Sequence, residues 1–255
     1  MIRNVLLMAT SGLVLFSKEF VNAVAQPRLI GSLLTAMIEF SHQTTGMHVS
    51  YIELTNVAVT IVVNTGAKVF CALFHDRDDG RGFGRLICSE ILYAFTQEFS
   101  SDLSKDFHGR NLKDFHGFNH KIADVIRNSV KPVLKLLQSQ KGVLKALLVT
   151  EEGTVAASSL QDDDIDQLGV LANLQALTGL CTDVMSHVND DCDHILLDSS
   201  NHTRLMVWRI QQRSLLIIEV KKSVDFNKYR SAVEESLDTI EQVCLLTANL
   251  HLVSR

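Results

Sequence analysis

The chain opens on two short apolar runs, Ile2–Ala9 and Leu13–Phe16, split by Thr10-Ser11-Gly12, a spacing that predicts a β-hairpin. From about Gln26 to Thr44 the period changes. Leu29, Leu33, Leu34, Met37, Ile38 and Phe40 recur at helical spacing, Pro27 stands in the first turn, where no N–H is needed, and Gly46 follows as a stop. Three strands are predicted next. Met47–Leu54 mixes β-branched and aromatic residues. Val57–Val63 is nearly all apolar, as in a strand buried on both faces, and Lys68–His75 follows the turn Asn64-Thr65-Gly66. Beyond a charged loop, Asp76–Arg81, a second helix is expected from about Phe83 to Phe99, with Leu86, Ile87, Ile91, Leu92, Phe95 and Phe99 on one stripe.

Ser100–Gly117 is polar and reads as a loop. Helical spacing returns from Phe118 to about Gln140, carried by Phe118, Ile122, Val125, Ile126, Val133, Leu134 and Leu137, and Pro132 inside it predicts a kink or a junction of two helices. The remaining chain follows the same logic. Val143–Val149 and Thr154–Ser158 form a hairpin across Glu151-Glu152-Gly153. A helix runs from Asp162-Asp163-Asp164, whose charge suits a helix start, to about His187, with Ile165, Leu168, Leu171, Leu174, Leu177 and Val184 as its stripe. Strands His194–Asp198, Arg204–Ile210 and Leu215–Val220 precede a last helix, Asn227–Leu250, with Tyr229, Val233, Leu237, Ile240 and Cys244 inward.

The first half therefore reads β-β-α-β-β-β-α-α and the second β-β-α-β-β-β-α, without a repeat in the residues themselves. The expected class is α+β: two domains, each a five-stranded antiparallel sheet covered by helices, with a break near Pro132–Lys141 that gives domains 1–136 and 137–255.

Composition narrows the function classes. Of 255 residues, 46% are hydrophobic and 21% charged, enough to bury a sizeable core and too apolar for a disordered chain. With 29 acidic against 24 basic residues, the net charge of −5 lacks the basic footprint of a nucleic-acid binder. The five cysteines, Cys71, Cys88, Cys181, Cys192 and Cys244, are scattered, with no Cys-x-x-Cys pair, which points to a reducing compartment, cytosol or nucleus, rather than a disulfide framework; a cytoplasmic location is expected. Met1–Phe16 superficially resembles a signal peptide, but Thr10-Ser11-Gly12 breaks it and Lys18-Glu19 returns charge. No apolar run reaches the roughly 20 residues of a membrane span, and the chain ends His-Leu-Val-Ser-Arg without a lipidation box, so any membrane address is expected from partners.

No motif commits the chain to chemistry. A phosphate-binding loop needs Gly-x-x-x-x-Gly-Lys-Ser/Thr, which is absent, so the chain is not itself a P-loop GTPase. Gly80-Arg81-Gly82-Phe83-Gly84 has the wrong spacing for a dinucleotide loop and follows acidic residues; it reads as a flexible start to a helix. Asp76-Arg77-Asp78-Asp79-Gly80 lacks the ligand spacing of a calcium loop. Asp106-Phe107-His108-Gly109 recurs as Asp114-Phe115-His116-Gly117, with His120 beyond. These could hold a metal, but anchoring of a long connection by Phe107 and Phe115 is preferred. Asp190-Asp191-Cys192-Asp193-His194 mixes ligand types at consecutive positions, whose side chains diverge. Neither a Gly-x-Ser-x-Gly elbow nor a His-Glu-x-x-His pair occurs. No cofactor, metal or catalytic residue is assigned.

Ile2-Arg3-Asn4-Val5-Leu6-Leu7-Met8, the turn at Gly12, the charged return Lys18-Glu19-Phe20 and the stripe ending Glu98-Phe99 resemble a longin domain over Met1–Leu103 and part of the following helix. Leu137–Val143 followed by Ala146–Gly153, with Gly142 and Gly153 at the turns, resembles the opening of a roadblock domain. The resemblance implies a non-enzymatic platform that binds a small GTPase and other longin- or roadblock-type subunits, as a homo- or heterodimer, in a scaffold or exchange complex of membrane trafficking, ciliary or lysosomal function, with membrane association only through partners. An enzyme with a site between the domains and a self-assembling structural protein are the alternatives.

A platform of this kind binds through an unpaired strand flanked by a helix. The expected partner-binding residues are Met47, Val49 and Tyr51 in the first half and Ile195, Leu196 and Leu197 in the second, with the helices from Gln26 and Asp162 alongside.

Overall fold

The computed structural model describes residues 1–20, 26–103, 112–150, 155–158, 168–192, 194–210, 214–225 and 230–253. The first sheet is built from β1 (Ile2–Ala9), β2 (Val14–Glu19), β3 (Tyr51–Glu53), β4 (Val57–Asn64) and β5 (Val69–Asp76), in the order β2-β1-β5-β4-β3, with every neighbouring pair antiparallel. The second uses β6 (Val143–Thr150), β7 (Val155–Ser158), β8 (His194–Asp198), β9 (Thr203–Ile210) and β10 (Ser214–Lys221), in the order β7-β6-β10-β9-β8, again antiparallel throughout. The two sheets share one topology, and the expected class of two five-stranded antiparallel sheets with helices holds.

Seven helices lie among the described residues: α1 (Pro27–Thr45), α2 (Gly80–Glu98), α3 (Ser100–Leu103), α4 (Ile122–Asn128), α5 (Val130–Gln138), α6 (Leu168–Ser186) and α7 (Arg230–Val253). The charged loop after β5 is a short 3-10 turn, Arg77–Asp79, and Leu112–His120 forms another. The helical pattern around Pro132 splits into α4 and α5. Their break falls at Ser129, and Pro132 sits in the first turn of α5, where its missing N–H costs nothing.

On one face of the first sheet, Leu6, Met8, Val59, Ile61, Phe70 and Phe74 pack with Leu34 of α1. Alternate residues turn to the other face, where α2 lies: Cys88 Sγ donates to Cys71 O at 3.3 Å and Ile87, Ile91 and Phe95 are fully buried. α2 starts earlier than expected, at Gly80, whose φ of 78° closes the preceding turn, and Gly82 and Gly84 are helical rather than a loose lead-in. Phe115 and Phe118 are buried against Phe95 and Phe99, with centroids 5.1–6.4 Å apart, which pins the chain before α4 onto the domain. Phe107, expected to assist, lies outside the described residues, as do Asp106, His108, Glu151-Glu152-Gly153, Asp162-Asp163-Asp164, Ile165 and Asn227.

In the second sheet, Leu147, Val149, Val207, Leu215 and Ile217 pack with Leu174 of α6. The chain divides into two compact units, Met1–Ser129 with Cys244–Arg255 and Val130–Val243. This division precedes the expected 136/137 break. The apolar stripe of α5, Val133, Leu134 and Leu137, is buried, and Gln138 Nε2 donates to Leu144 O in β6 at 3.1 Å, so α5 goes with the second sheet.

Candidate partner-binding surfaces

β3 ends the first sheet, and among the described residues one of its sides has no strand partner. Leu54 N–H donates to Val57 O at 2.8 Å and Ser50 O accepts from Ile61 N–H at 2.9 Å. In an antiparallel ladder alternate residues face alternate sides, so Ile52 turns its peptide groups to β4 while Tyr51 and Glu53 turn theirs outward. Tyr51 thus stands where the sequence placed it, on an open edge.

Met47 and Val49 do not belong to that strand. Ser41 Oγ donates to Met47 O at 2.9 Å, Met47 N–H donates to Thr45 Oγ1 at 3.2 Å, and the His48 ring stacks on His42 at 4.4 Å. These bonds tie the segment to the end of α1 instead of to β4. Met47 is exposed in this connection, whereas Val49 packs on the core.

α1 leads directly into this edge, and its apolar stripe is wider than the core needs. Ile30, Leu34 and Ile38 pack on the sheet. Leu29, Leu33, Met37 and Phe40 point away from it, with Leu29, Leu33 and Phe40 exposed by 66%, 60% and 70%. Gly31 makes the inner contact possible, since a side chain there would meet Met8 Cε at 2.6 Å. Four large apolar groups stand on one outer helix face, an exposed stripe of the kind that partners cover.

β8 is the matching edge of the second sheet. Ser199 N–H donates to Thr203 O at 3.0 Å, so by alternation Ile195 and Leu197 bond to β9, and His194, Leu196 and Asp198 turn their peptide groups outward. The side chains of Ile195 and Leu197 pack into the core under α6, while Leu196 lies on the opposite face, 47% exposed. Of the three residues expected to bind partners, only Leu196 presents its side chain. α6 repeats the arrangement of α1: Leu174 and Leu177 face the sheet, and Leu180 and Val184 face out.

The polar chemistry of the first unit concentrates where β1 meets the 3-10 turn. Met1 gives its ammonium to Asp76, at 3.1 Å, and to Asp79, and Arg3 Nε donates to Asp76 at 2.8 Å. Buried His75 bonds through Nδ1 to Asp76 O and through Nε2 to Thr60 Oγ1, both at 2.9 Å. If Nδ1–H donates to the carbonyl, the Thr60 hydroxyl donates to Nε2. Burial pushes the Asp79 carboxyl up, but the neighbouring His75 ring, with Nδ1 3.7 Å away, and the Met1 ammonium outweigh it and hold the group below its ordinary value. Asp76 is likewise lowered, against its own desolvation, by Arg3 and Met1. The signal for this clasp was present in the sequence as Asp76-x-x-Asp79, which forms a capping box.

Among the described residues, no three His, Cys, Asp or Glu side chains converge as a metal site would require. In the Asp190–His194 segment, Cys192 Sγ reaches His194 O at 3.9 Å, and Asp193 lies outside the described residues. At the far end of β8, Asp198 is lowered by its hydrogen bond from Arg204, at 2.7 Å, with Lys222 3.7 Å away. No helix among the described residues is long and apolar enough to cross a membrane.

Residues 130–221 match the family model of the Roadblock/LC7 domain. The match begins at the first residue of α5 and ends with β10, so this Roadblock/LC7 region takes in the whole second sheet. Among solved structures, MglB of Myxococcus xanthus is 12% identical, with a TM-score of 0.42 over 46% of this chain and 89% of its own. A Roadblock/LC7 domain from Streptomyces avermitilis is 14% identical, TM-score 0.41, over 45% and 97%. Profilin IA of Acanthamoeba castellanii is 11% identical, TM-score 0.32, over 46% and 96%. No curated protein matches the chain.

Proposed function

We propose that this chain is a non-enzymatic subunit of a cytoplasmic scaffold or adaptor complex that binds and regulates a small GTPase in membrane trafficking, reaching membranes through its partners. The Roadblock/LC7 match over residues 130–221 supports the class. The observation that carries the binding role is the outer face of α1: Leu29, Leu33, Met37 and Phe40 stay exposed beside an open strand edge, although the inner face of the same helix already supplies the core. The first unit, with the same strand order as the Roadblock/LC7 region, acts in this reading as a longin-type partner module. Edge strands accept a partner strand through the outward peptide groups of Tyr51, Glu53 and Leu196, and the apolar helix faces of α1 and α6 add area. Another longin- or roadblock-type subunit, or a second copy of this chain, covers one such face; the GTPase takes another.

The test is a pull-down from cell extract with the full chain, combined with small GTPases fixed in the GTP- or GDP-bound state and a measurement of mass in solution. Recovery of a GTPase in a nucleotide-dependent manner, with a mass above that of the monomer, is expected. A monomer that captures neither a GTPase nor a longin- or roadblock-type subunit overturns the reading.

A further inference from the structure

On the α2 side of the β3 edge, away from the apolar face of α1, lies an open groove of about 530 Å³. One wall is the chain from His48 to Tyr51, the other is Arg81 and Arg85 of α2, and Thr60 and Val62 form the floor. The residues that line it include no carboxylate. This is notable in a chain with 29 acidic residues and a net charge of −5.

The two arginines stand four apart on α2, hence on one helix face, and both are exposed. The Arg81 guanidinium carbon lies 4.5 Å over the Tyr51 ring, which orients the group by cation–π attraction and leaves its N–H donors unspent. Arg85 makes no ion pair or hydrogen bond among the described residues. The next guanidinium along, Arg77, lies 3.8 Å from Glu53.

The backbone beside these cations is also open. β3 covers only Tyr51–Glu53 while β4 runs from Val57 to Asn64. By the alternation that turns Val57 and Ile61 toward β3, Val63 also directs its peptide groups to that side, past the point where β3 begins.

We propose that this groove binds an extended acidic segment of a partner protein. The segment bonds through its backbone at the open edge and places carboxylates against Arg81 and Arg85, whose planar forks take a carboxylate through two parallel bonds. The absence of any lining carboxylate gives the charge complementarity, and the open backbone groups favour an extended peptide over a small anion. This rests on the edge-strand reading proposed above and deepens it: it gives the chemistry of the segment that the β3 edge would take, separately from the apolar face of α1.

The test is selection of a phage-displayed random peptide library on the full-length protein. Wild type is expected to enrich Asp and Glu, and a selected peptide, measured by fluorescence anisotropy, is expected to bind at least about tenfold more weakly to Arg81→Glu/Arg85→Glu and to weaken as salt rises. Arg81→Ala/Arg85→Ala, with an unchanged thermal transition, separates loss of contact from loss of fold. Phe40→Asp is expected to leave peptide affinity unchanged, so failure of the α1 reading and failure of this one are told apart. No enriched peptide, enrichment without acidic bias, or equal affinity for the arginine variants overturns the proposal.

Discussion

Gly84 of α2 lies so close to His75 of β5 that a β-carbon added to it would stand 2.5 Å from the imidazole Nε2. The same atom would press on Thr60 Oγ1, the hydrogen-bond partner of that nitrogen. Both neighbours are buried and held, Thr60 on β4 and His75 between two hydrogen bonds, so neither can yield cheaply. Gly84→Ala would gain up to about 1 kcal/mol of helix propensity and lose about 1–3 kcal/mol to overpacking. The expected net result is destabilisation of the first unit. Chemical denaturation followed by circular dichroism checks it, and a midpoint equal to or above that of wild type would show that α2 can move off the sheet.

Asp79 sets the acid limit of the same region. Its carboxyl ionises more readily in the fold than in the unfolded chain, so the ionised form is the stabilising one. That contribution is complete above the ordinary value of 3.8 and is lost as pH falls through the lower folded value. Asp79→Asn is therefore expected to cost about 1 kcal/mol at pH 7, and progressively less as pH falls below 3.8. Melting temperatures across pH 2–7 check this; parallel curves for variant and wild type would refute it.

The strands and turns were legible because their signals are local. Gly12, Gly46 and Gly142 all adopt positive φ where a turn or helix end needs it, and β4 and β5 are nearly all apolar. Gly84 was not legible in the same way: its reason, Thr60 and His75, lies across the fold. Met47 and Val49 are good strand residues, yet the side chains of Ser41 and Thr45 capture Met47's backbone groups. The apolar stripe of α1 was visible, but spacing alone does not say which of two adjoining faces meets the sheet. Leu33 and Leu34 are neighbours in sequence, one outside and one in the core. The surface that makes α1 a binding element is thus the excess of its pattern over what packing consumes.

Phe118 is fully buried, with ring centroids 5.4 Å from Phe16 and 5.3 Å from Phe95, both edge-to-face. It joins β2, α2 and the chain entering α4. Phe118→Ala is expected to cost about 3–5 kcal/mol, since three surrounding elements resist collapse into the void. A denaturant titration checks the figure, and a loss below about 1 kcal/mol would mean that this aromatic cluster does not hold the connection.

Phe40 tests the outer face of α1 without touching the core. Its ring is 70% exposed, so Phe40→Asp is expected to change stability by no more than about 0.5 kcal/mol. If a partner covers this face, burial of the ring contributes about 1.5–3 kcal/mol, and affinity for the captured subunit should fall by at least about tenfold. Equal recovery of partners by Phe40→Asp and wild type would remove α1 from the interface.

Leu196 tests the β8 edge in a different way. Its peptide groups point out of the sheet and its side chain is 47% exposed, so it contributes little to the isolated fold. Lysine at such a position keeps the strand but sets a strongly hydrated charge beside any strand that would add to it, the device by which edge strands avoid pairing. It would also stand opposite Met206, next to the His194–Trp208 stack, where an incoming apolar side chain would have to desolvate the ammonium. Leu196→Lys is therefore expected to weaken assembly by at least about tenfold while shifting the thermal midpoint by only a few degrees. Co-purification and solution mass check the first effect and circular dichroism the second. Loss of fold together with loss of assembly would show that Leu196 serves the second unit's own packing, and unchanged assembly would move the partner to the β3 edge of the first unit.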